Sequence, residues 1–347
     1  MKNKISILII IAITFMSFSG CSKNKANTDE IVVVWLPNDS SDTFENARQI
    51  IDETITRATG KPCRDICTTD YAIVVETLAN NKAAICYGGA QSYIDVHAKN
   101  DQVVPLVVRS GVSGTADDAM YYSWLAVNAD KAIEYQNADG SLNAENLEQK
   151  RISFVSSSST SGFSIPATYI LEAVKKTDKW ANLTTEDLME GSKNKFFSEV
   201  MFGGSHQIAM LNLLMNRSDI AASCNIVGMH YAKAIDGLDN VAGTKYVVTE
   251  DAESPFDTVI GKEFTLLEAI PVMNAPIMMN KNLLTKAEQQ KLIEFFTSDE
   301  VANDERMFPT EQKTGSSFAV KKGNDRFVHV EDAWFDPLRK IMLHTEK

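Results

Sequence analysis

Residues 155–166 read Val-Ser-Ser-Ser-Ser-Thr-Ser-Gly-Phe-Ser-Ile-Pro, a run of hydroxyls set between an apolar segment and a helix-forming one. Residues 152–155 read as a buried strand. Residues 167–175, with Ile170, Leu171 and Val174 at helical spacing, read as a helix. A loop in that position sits at a helix N-terminus, where the first backbone N–H groups lack intrahelical partners and the macrodipole is positive. Ser159, Thr160 and Ser161 each add a rotatable O–H donor, Gly162 permits close approach of the backbone, and Pro166 is tolerated only near a first turn. The chemistry open to such a loop is to hold an oxyanion with neutral donors, without Lys or Arg. The competing use of the same residues is plain capping of the helix, and the surrounding sequence has to separate the two.

The start of the chain addresses its compartment. Lys2 and Lys4 precede an apolar run over residues 5–18, and Ser19, Gly20 and Cys21 follow, the pattern of a signal peptide over residues 1–20. About 14 apolar residues are too few to span a bilayer, which takes about 20. A small residue before a cysteine at the end of such a run resembles the bacterial lipobox, in which Cys21 is acylated, although Phe18 stands where Leu is usual. Residues 21–30 then read as a lipidated polar tether. The expected location is the extracytoplasmic face of the cell membrane, reached through that lipid alone.

The formal net charge of the 347 residues is −12, and losing Lys2 and Lys4 with the leader takes it to −14. An acidic body argues against nucleic acid and anionic lipid as partners. Cys63, Cys67, Cys86 and Cys224 lack the paired spacing of a zinc site, so neither metal nor cofactor is expected. Cys86 and Cys224 fall in apolar runs as small buried residues. A Cys63–Cys67 disulfide is left open.

Roughly 320 mature residues exceed what one core usually supports, which points to two lobes. Strand-like runs alternate with helical ones. Residues 31–35 read as a strand. A helix follows with Phe44, Ala47, Ile51, Ile55 and Ala58 on one face, Asp42 and Glu45 as a capping box and Gly60 as its stop. Thr69 can cap a helix over residues 70–78, and residues 83–87 and 103–108 are further strands. Such βαβ alternation implies mostly parallel sheets flanked by helices. The chain is expected to cross to a second lobe after the strand-like residues 121–127. That lobe holds the hydroxyl loop, a strand over 197–202, a helix over 206–215 and a strand over 219–224. Residues 270–279 form the return, and a helix over 286–296 completes the first lobe. The division is therefore 31–127 with 274–347 against 128–273, with a hinge near residues 127–128 and 273–274.

Taken together, these motifs resemble the phosphate, phosphite and phosphonate substrate-binding proteins of bacterial ABC importers, the PhnD-like phosphonate-binding family. The motifs are Thr69-Asp-Tyr71, Tyr87-Gly-Gly-Ala-Gln-Ser-Tyr93, Tyr122-Ser123, Ser159-Thr-Ser-Gly-Phe163 with Pro166, Gly204-Ser-His206, Ile270-Pro271 with Asn274-Ala-Pro276, and residues 330–339. The resemblance covers essentially the whole mature chain. It implies an α/β fold of the type II periplasmic-binding-protein kind, two lobes closing over one ligand, and a monomer delivering that ligand to permease and ATPase subunits. By matching position, Tyr71, Ser159, Thr160, Ser161 and His206 are expected on the phosphoryl or phosphonyl oxygens, His206 adding charge when protonated. Tyr87 and Tyr93 follow a strand's carboxyl end, where open α/β sheets place ligands, and rank behind the first five. His97, His230, His329 and His344 share no spacing and are read as structural or exposed.

Two departures narrow the ligand. Where aminoalkylphosphonate binders of the family carry Asn-Asp-Pro, this chain has Asn274-Ala275-Pro276, and Ile226 stands where a second acidic partner for the amine is usual. Both point to a small oxyanion without an ammonium group. The alternatives are a same-fold binder of a thiamine precursor or sulfonate, a ligand sensor, and a secreted serine hydrolase. The hydrolase reading lacks the Gly-x-Ser-x-Gly elbow and a positioned base.

Overall fold

The computed structural model describes residues 29–38, 44–138, 140–176, 178–311 and 318–345. The leader, the lipobox and the Asp42 half of the expected capping box lie outside the described residues. The chain begins with β1 (Ile31–Trp35), α1 (Glu45–Thr59), β2 (Cys63–Cys67), α2 (Tyr71–Ala79), β3 (Ile85–Tyr87), α3 (Ala90–Lys99) and β4 (Val103–Arg109). It continues through β5 (Met120–Asn128), β6 (Arg151–Phe154), α4 (Ile165–Val174), β7 (Glu199–Phe202), α5 (His206–Leu214), β8 (Ile220–Cys224), α6 (Asn225–Tyr231), β9 (Ala232–Asp236), β10 (Lys245–Val248) and β11 (Glu263–Met273). It closes with β12 (Pro276–Asn280), α7 (Lys286–Phe296), α8 (Asp299–Ala302), β13 (Phe327–Val328) and α9 (Asp336–Thr345).

Local chemistry sets most of these boundaries. Gly60 ends α1 in the left-handed conformation, its N–H donating to Thr56 O. Asp70, one residue later than expected, caps α2 by accepting from Ala72 N at 2.6 Å. A Thr285–Glu288 capping box opens α7.

Two sheets result. The first has the order β13-β4-β12-β3-β1-β2 and the second β7-β6-β8-β5-β11-β10-β9. Both are mixed. β12 enters antiparallel between β3 and β4, and β5 and β11 form a long antiparallel pair in the second sheet. Apolar clusters cover both faces of each sheet. One of the first sheet's clusters also takes in Val155, Ile165 and Ala209 from the second, so the two halves touch through apolar contact.

The crossing point differs from the sequence expectation. β5 lies in the second sheet between β8 and β11, paired along its length from Met120 to Asn128. The chain therefore crosses before β5, at Ala119, and returns after β11, at Asn274, where Asn274 N donates to Ala119 O at 2.9 Å. Trp124, Leu125, Ala126 and Val127 are fully buried, as a central strand of either sheet would be, so the apolar run alone did not say which sheet it joined. The Cys63–Cys67 disulfide is also ruled out. Both thiols are free, and four residues apart on β2 their Cα atoms stand about 13 Å apart, beyond the reach of an S–S bridge.

Candidate functional site

A cleft of about 550 Å³ opens between the sheets, at the carboxyl ends of β1, β3 and β6. The hydroxyl loop forms its floor on one side. Ser159 Oγ accepts from Gly162 N at 3.1 Å, and a wide helical turn over residues 160–164 runs into α4. Gly162 is required there, since a Cβ would lie 2.3 Å from the Val155 side chain. Thr160 Oγ1 accepts from Gln91 N at 2.8 Å, across the cleft at the start of α3. Ser161 Oγ accepts from Tyr121 Oη at 3.1 Å, and Ser123 Oγ donates to Ser161 O at 2.7 Å. Each of the three hydroxyl oxygens is thus used as an acceptor, and the Thr160 hydroxyl also hydrogen-bonds the Tyr121 phenol, so its proton reaches a ligand only by turning away from that ring. Burial pushes the Tyr121 phenol up, so it remains an O–H.

From the first sheet, Tyr71 opens α2 against the cleft, and its Oη accepts from Asn38 Nδ2 at 2.7 Å. Asn38 also spans to the other half. Its Oδ1 accepts from His206 N at 3.0 Å, and its backbone O accepts from Gln207 Nε2 at 3.2 Å. His206 heads α5 behind the N-cap Ser205, its Nδ1 3.4 Å from Ser223 Oγ. Complete burial lowers its pKa to about 3. The ring is therefore neutral near pH 7, since burial disfavours the imidazolium, and it is the neutral ring that can donate from a ring nitrogen.

Tyr71, Ser159, Thr160, Ser161, His206 and Tyr87 all line this one cleft. Tyr93 does not. It lies one turn inside α3, fully buried, with Oη donating to Asp332 at 2.6 Å and its ring 4.7 Å from Phe335, so it serves the core. Ala275 and Ile226 do reach the wall. Asn38 and Tyr121 were missed by sequence reasoning. The position of Asn38 just past the carboxyl end of β1 was the available signal. Among the described residues no cluster of His, Cys, Asp or Glu could hold a metal ion, and no helix is long and apolar enough to cross a membrane.

Two α/β lobes bridged by a double crossover, with polar groups from both converging on one interlobe cleft, define a two-lobed ligand-binding protein. Over residues 33–335 the chain matches the family described as the periplasmic substrate-binding protein of the phosphonate ABC transporter, and it belongs to that family. Its members capture solutes for transport and are not enzymes. Solved structures of the same fold include PhnD1 from Prochlorococcus marinus in complex with methylphosphonate, at 16% identity and TM-score 0.62, covering 92% of this chain and 99% of that one. A binding-protein component of an ABC phosphonate transporter from Pseudomonas aeruginosa aligns at 14% identity and TM-score 0.61, covering 91% of this chain and 86% of that one. A Xanthomonas citri protein solved bound to ATP aligns at 12% identity and TM-score 0.55, covering 92% of this chain and 98% of that one.

Proposed function

We propose that this chain captures a small phosphorus oxyanion (phosphate, phosphite or an alkylphosphonate) by closing its two lobes, and delivers it as a monomer to an ABC permease and its ATPase. The observation that carries the reading is the set of three neighbouring hydroxyls, Ser159, Thr160 and Ser161. They are held at a helix N-terminus by bonds they accept and line the cleft, where their rotatable O–H groups can turn toward a ligand. Tyr71 and the neutral His206 add donors from the first and second lobe. An anion held this way needs no charged side chain, in keeping with an acidic protein. Ala275 and Ile226 put no carboxylate where an amine would need one, so a ligand without an ammonium group is preferred. The methylphosphonate held by the Prochlorococcus protein is of this chemical kind.

Calorimetry with methylphosphonate, phosphite and phosphate tests this. Ser161→Ala or Thr160→Ala should weaken binding by about 1.5–3 kcal/mol, the size of one hydrogen bond to a charged group, while leaving the fold intact. Unchanged affinity in the Ser159→Ala, Thr160→Ala and Ser161→Ala variants would reduce the loop to a helix cap. The same reading includes a lipid anchor on Cys21, following Gly20 at the end of the apolar leader. Cys21→Ala should move the protein from the membrane fraction to the soluble one, and full membrane retention would refute the anchor.

A further inference from the structure

The oxyanion site uses only part of the cleft. At roughly 30 Å³ per water, the 550 Å³ would hold nearly twenty waters, whereas a compact four-oxygen anion has the bulk of about two. The size lies within the roughly 300–1,000 Å³ of sites that take drug-sized organic molecules. The remaining wall is largely apolar. Phe44, at the start of α1, meets His230 of α6 with ring centroids 5.6 Å apart, a contact between the two lobes. Ile226 and Val227, on the first turn of the same helix, face the cleft beside it. Leu36 and Met120 line it as well. Met120 is 52% exposed and Ile226 41%, so two large apolar side chains stand in water inside a binding cleft. A bare phosphate or phosphite would leave them there.

Four of the five charged side chains on the same wall already have protein partners. Arg109 is held by both oxygens of Asp325, at 3.1 and 2.8 Å from Nε, and Arg48 stands 3.8 Å from Asp65. Asp118 accepts from Gly111 N and Ser113 N, and Lys322 adds a single cation at the exposed rim.

We propose that the ligand of this cleft is a phosphorus oxyanion carrying an uncharged apolar substituent larger than methyl, such as an aryl or multi-carbon phosphonate or phosphomonoester, the substituent lying between Phe44 and Ile226. This deepens the oxyanion reading above and rests on it. Covering Met120 and Ile226 is the source of the added affinity, since apolar surface removed from water stabilises the complex in proportion to its area. Ile226 then does more than omit a carboxylate: it supplies a surface for the organic group.

The test is calorimetry on the full-length protein with four probes: methylphosphonate, phenylphosphonate, phenyl phosphate and 2-aminoethylphosphonate. Phenylphosphonate should bind at least tenfold more tightly than methylphosphonate. The aminoethyl compound should show no such gain, because its ammonium loses hydration against an apolar wall. Phenyl phosphate in place of phenylphosphonate as the tighter ligand would make the natural class a monoester. Phe44→Ala and Ile226→Ala should each lower the phenyl-to-methyl affinity ratio several-fold, whereas Ser161→Ala should weaken both ligands and leave the ratio alone. Methylphosphonate binding as tightly as both phenyl compounds, or more tightly, would overturn the substituent site and leave the oxyanion reading standing. No binding of any of the four would overturn both.

Discussion

Asn38 and Ser161 mark the limits of what single residues disclose. The hydroxyl loop is legible because its function is local: strand, loop, glycine and helix start lie within a dozen residues, and the donors point where the helix begins. Asn38 is invisible in that sense. Its side chain joins Tyr71 to the backbone of His206, partners 33 and 168 positions away, and only the fold brings them together. The charge state of His206 is likewise a property of burial, which no motif encodes. Its folded pKa, about 3, lies below the ordinary 6.5. Between these values the unfolded chain binds a proton that the native chain does not, so this residue makes stability fall as pH drops from about 6.5 toward 3. Asp52 acts in the opposite sense. Burial, then the charge of Asp65, raise its pKa to about 7, so its contribution falls as pH rises from about 4 through 7. The comparison that isolates the histidine is therefore wild type against His206→Asn in urea melts from pH 4.5 to 7.5. Wild type should lose stability toward acid relative to the variant, and parallel curves would mean that the ring takes up its proton in the native protein as readily as in the unfolded chain.

At the level of elements, periodicity and caps identified most helices and strands, because an amphipathic face and its punctuation are written in one stretch of chain. Assignment of β5 to a sheet was not written there. Residues 124–127 would suit the centre of either sheet, and only pairing with β8 and β11 decided it. β2 escaped for the opposite reason, being a half-exposed edge strand of sequence Cys-Arg-Asp-Ile-Cys with no apolar run to notice. The start of α3 is where an element boundary becomes functional. Gly89 precedes the helix, and a Cβ there would lie 2.8 Å from Thr160 Oγ1 on the opposing lobe. The bond from Gln91 N to Thr160 and that from Ser92 Oγ to Ser158 O, at 2.9 Å, depend on this close approach. Gly89 has ordinary negative φ for any residue, so the obstacle is the neighbour and not the backbone. Gly89→Ala should therefore leave thermal stability nearly unchanged while weakening ligand binding by about 1–3 kcal/mol, the usual size of an overpacking penalty, here levied on closure. A variant with wild-type affinity would show that this seam stays apart when ligand is bound.

For the whole molecule, the proposed donors come from both sides of the double crossover: Tyr71 before Ala119, the hydroxyl loop and His206 after it. An anion that touches both sets binds the closed form better than the open one, and that difference in affinity is what moves the population. The direct polar bonds across the cleft, from Asn38, Gln91 and Ser92, contribute only about 0.5–1.5 kcal/mol each. Ordering the lobes opposes both these bonds and the apolar contact of Val155, Ile165 and Ala209, and on the clamp reading an open population is expected without ligand. The rotation should be absorbed where the chain passes between sheets, at residues 119–120 and 273–274, and not within the continuous β5–β11 pair. Asn274 reinforces that junction by donating from Nδ2 to Arg109 O at 2.6 Å. Small-angle scattering should show a smaller radius of gyration with saturating methylphosphonate than without it. Asn38→Ala, which removes the side-chain bridge between Tyr71 and His206, should enlarge the ligand-free radius further. A radius that stays constant while calorimetry reports binding would refute the clamp, and the site would then have to be preformed in a molecule that does not open.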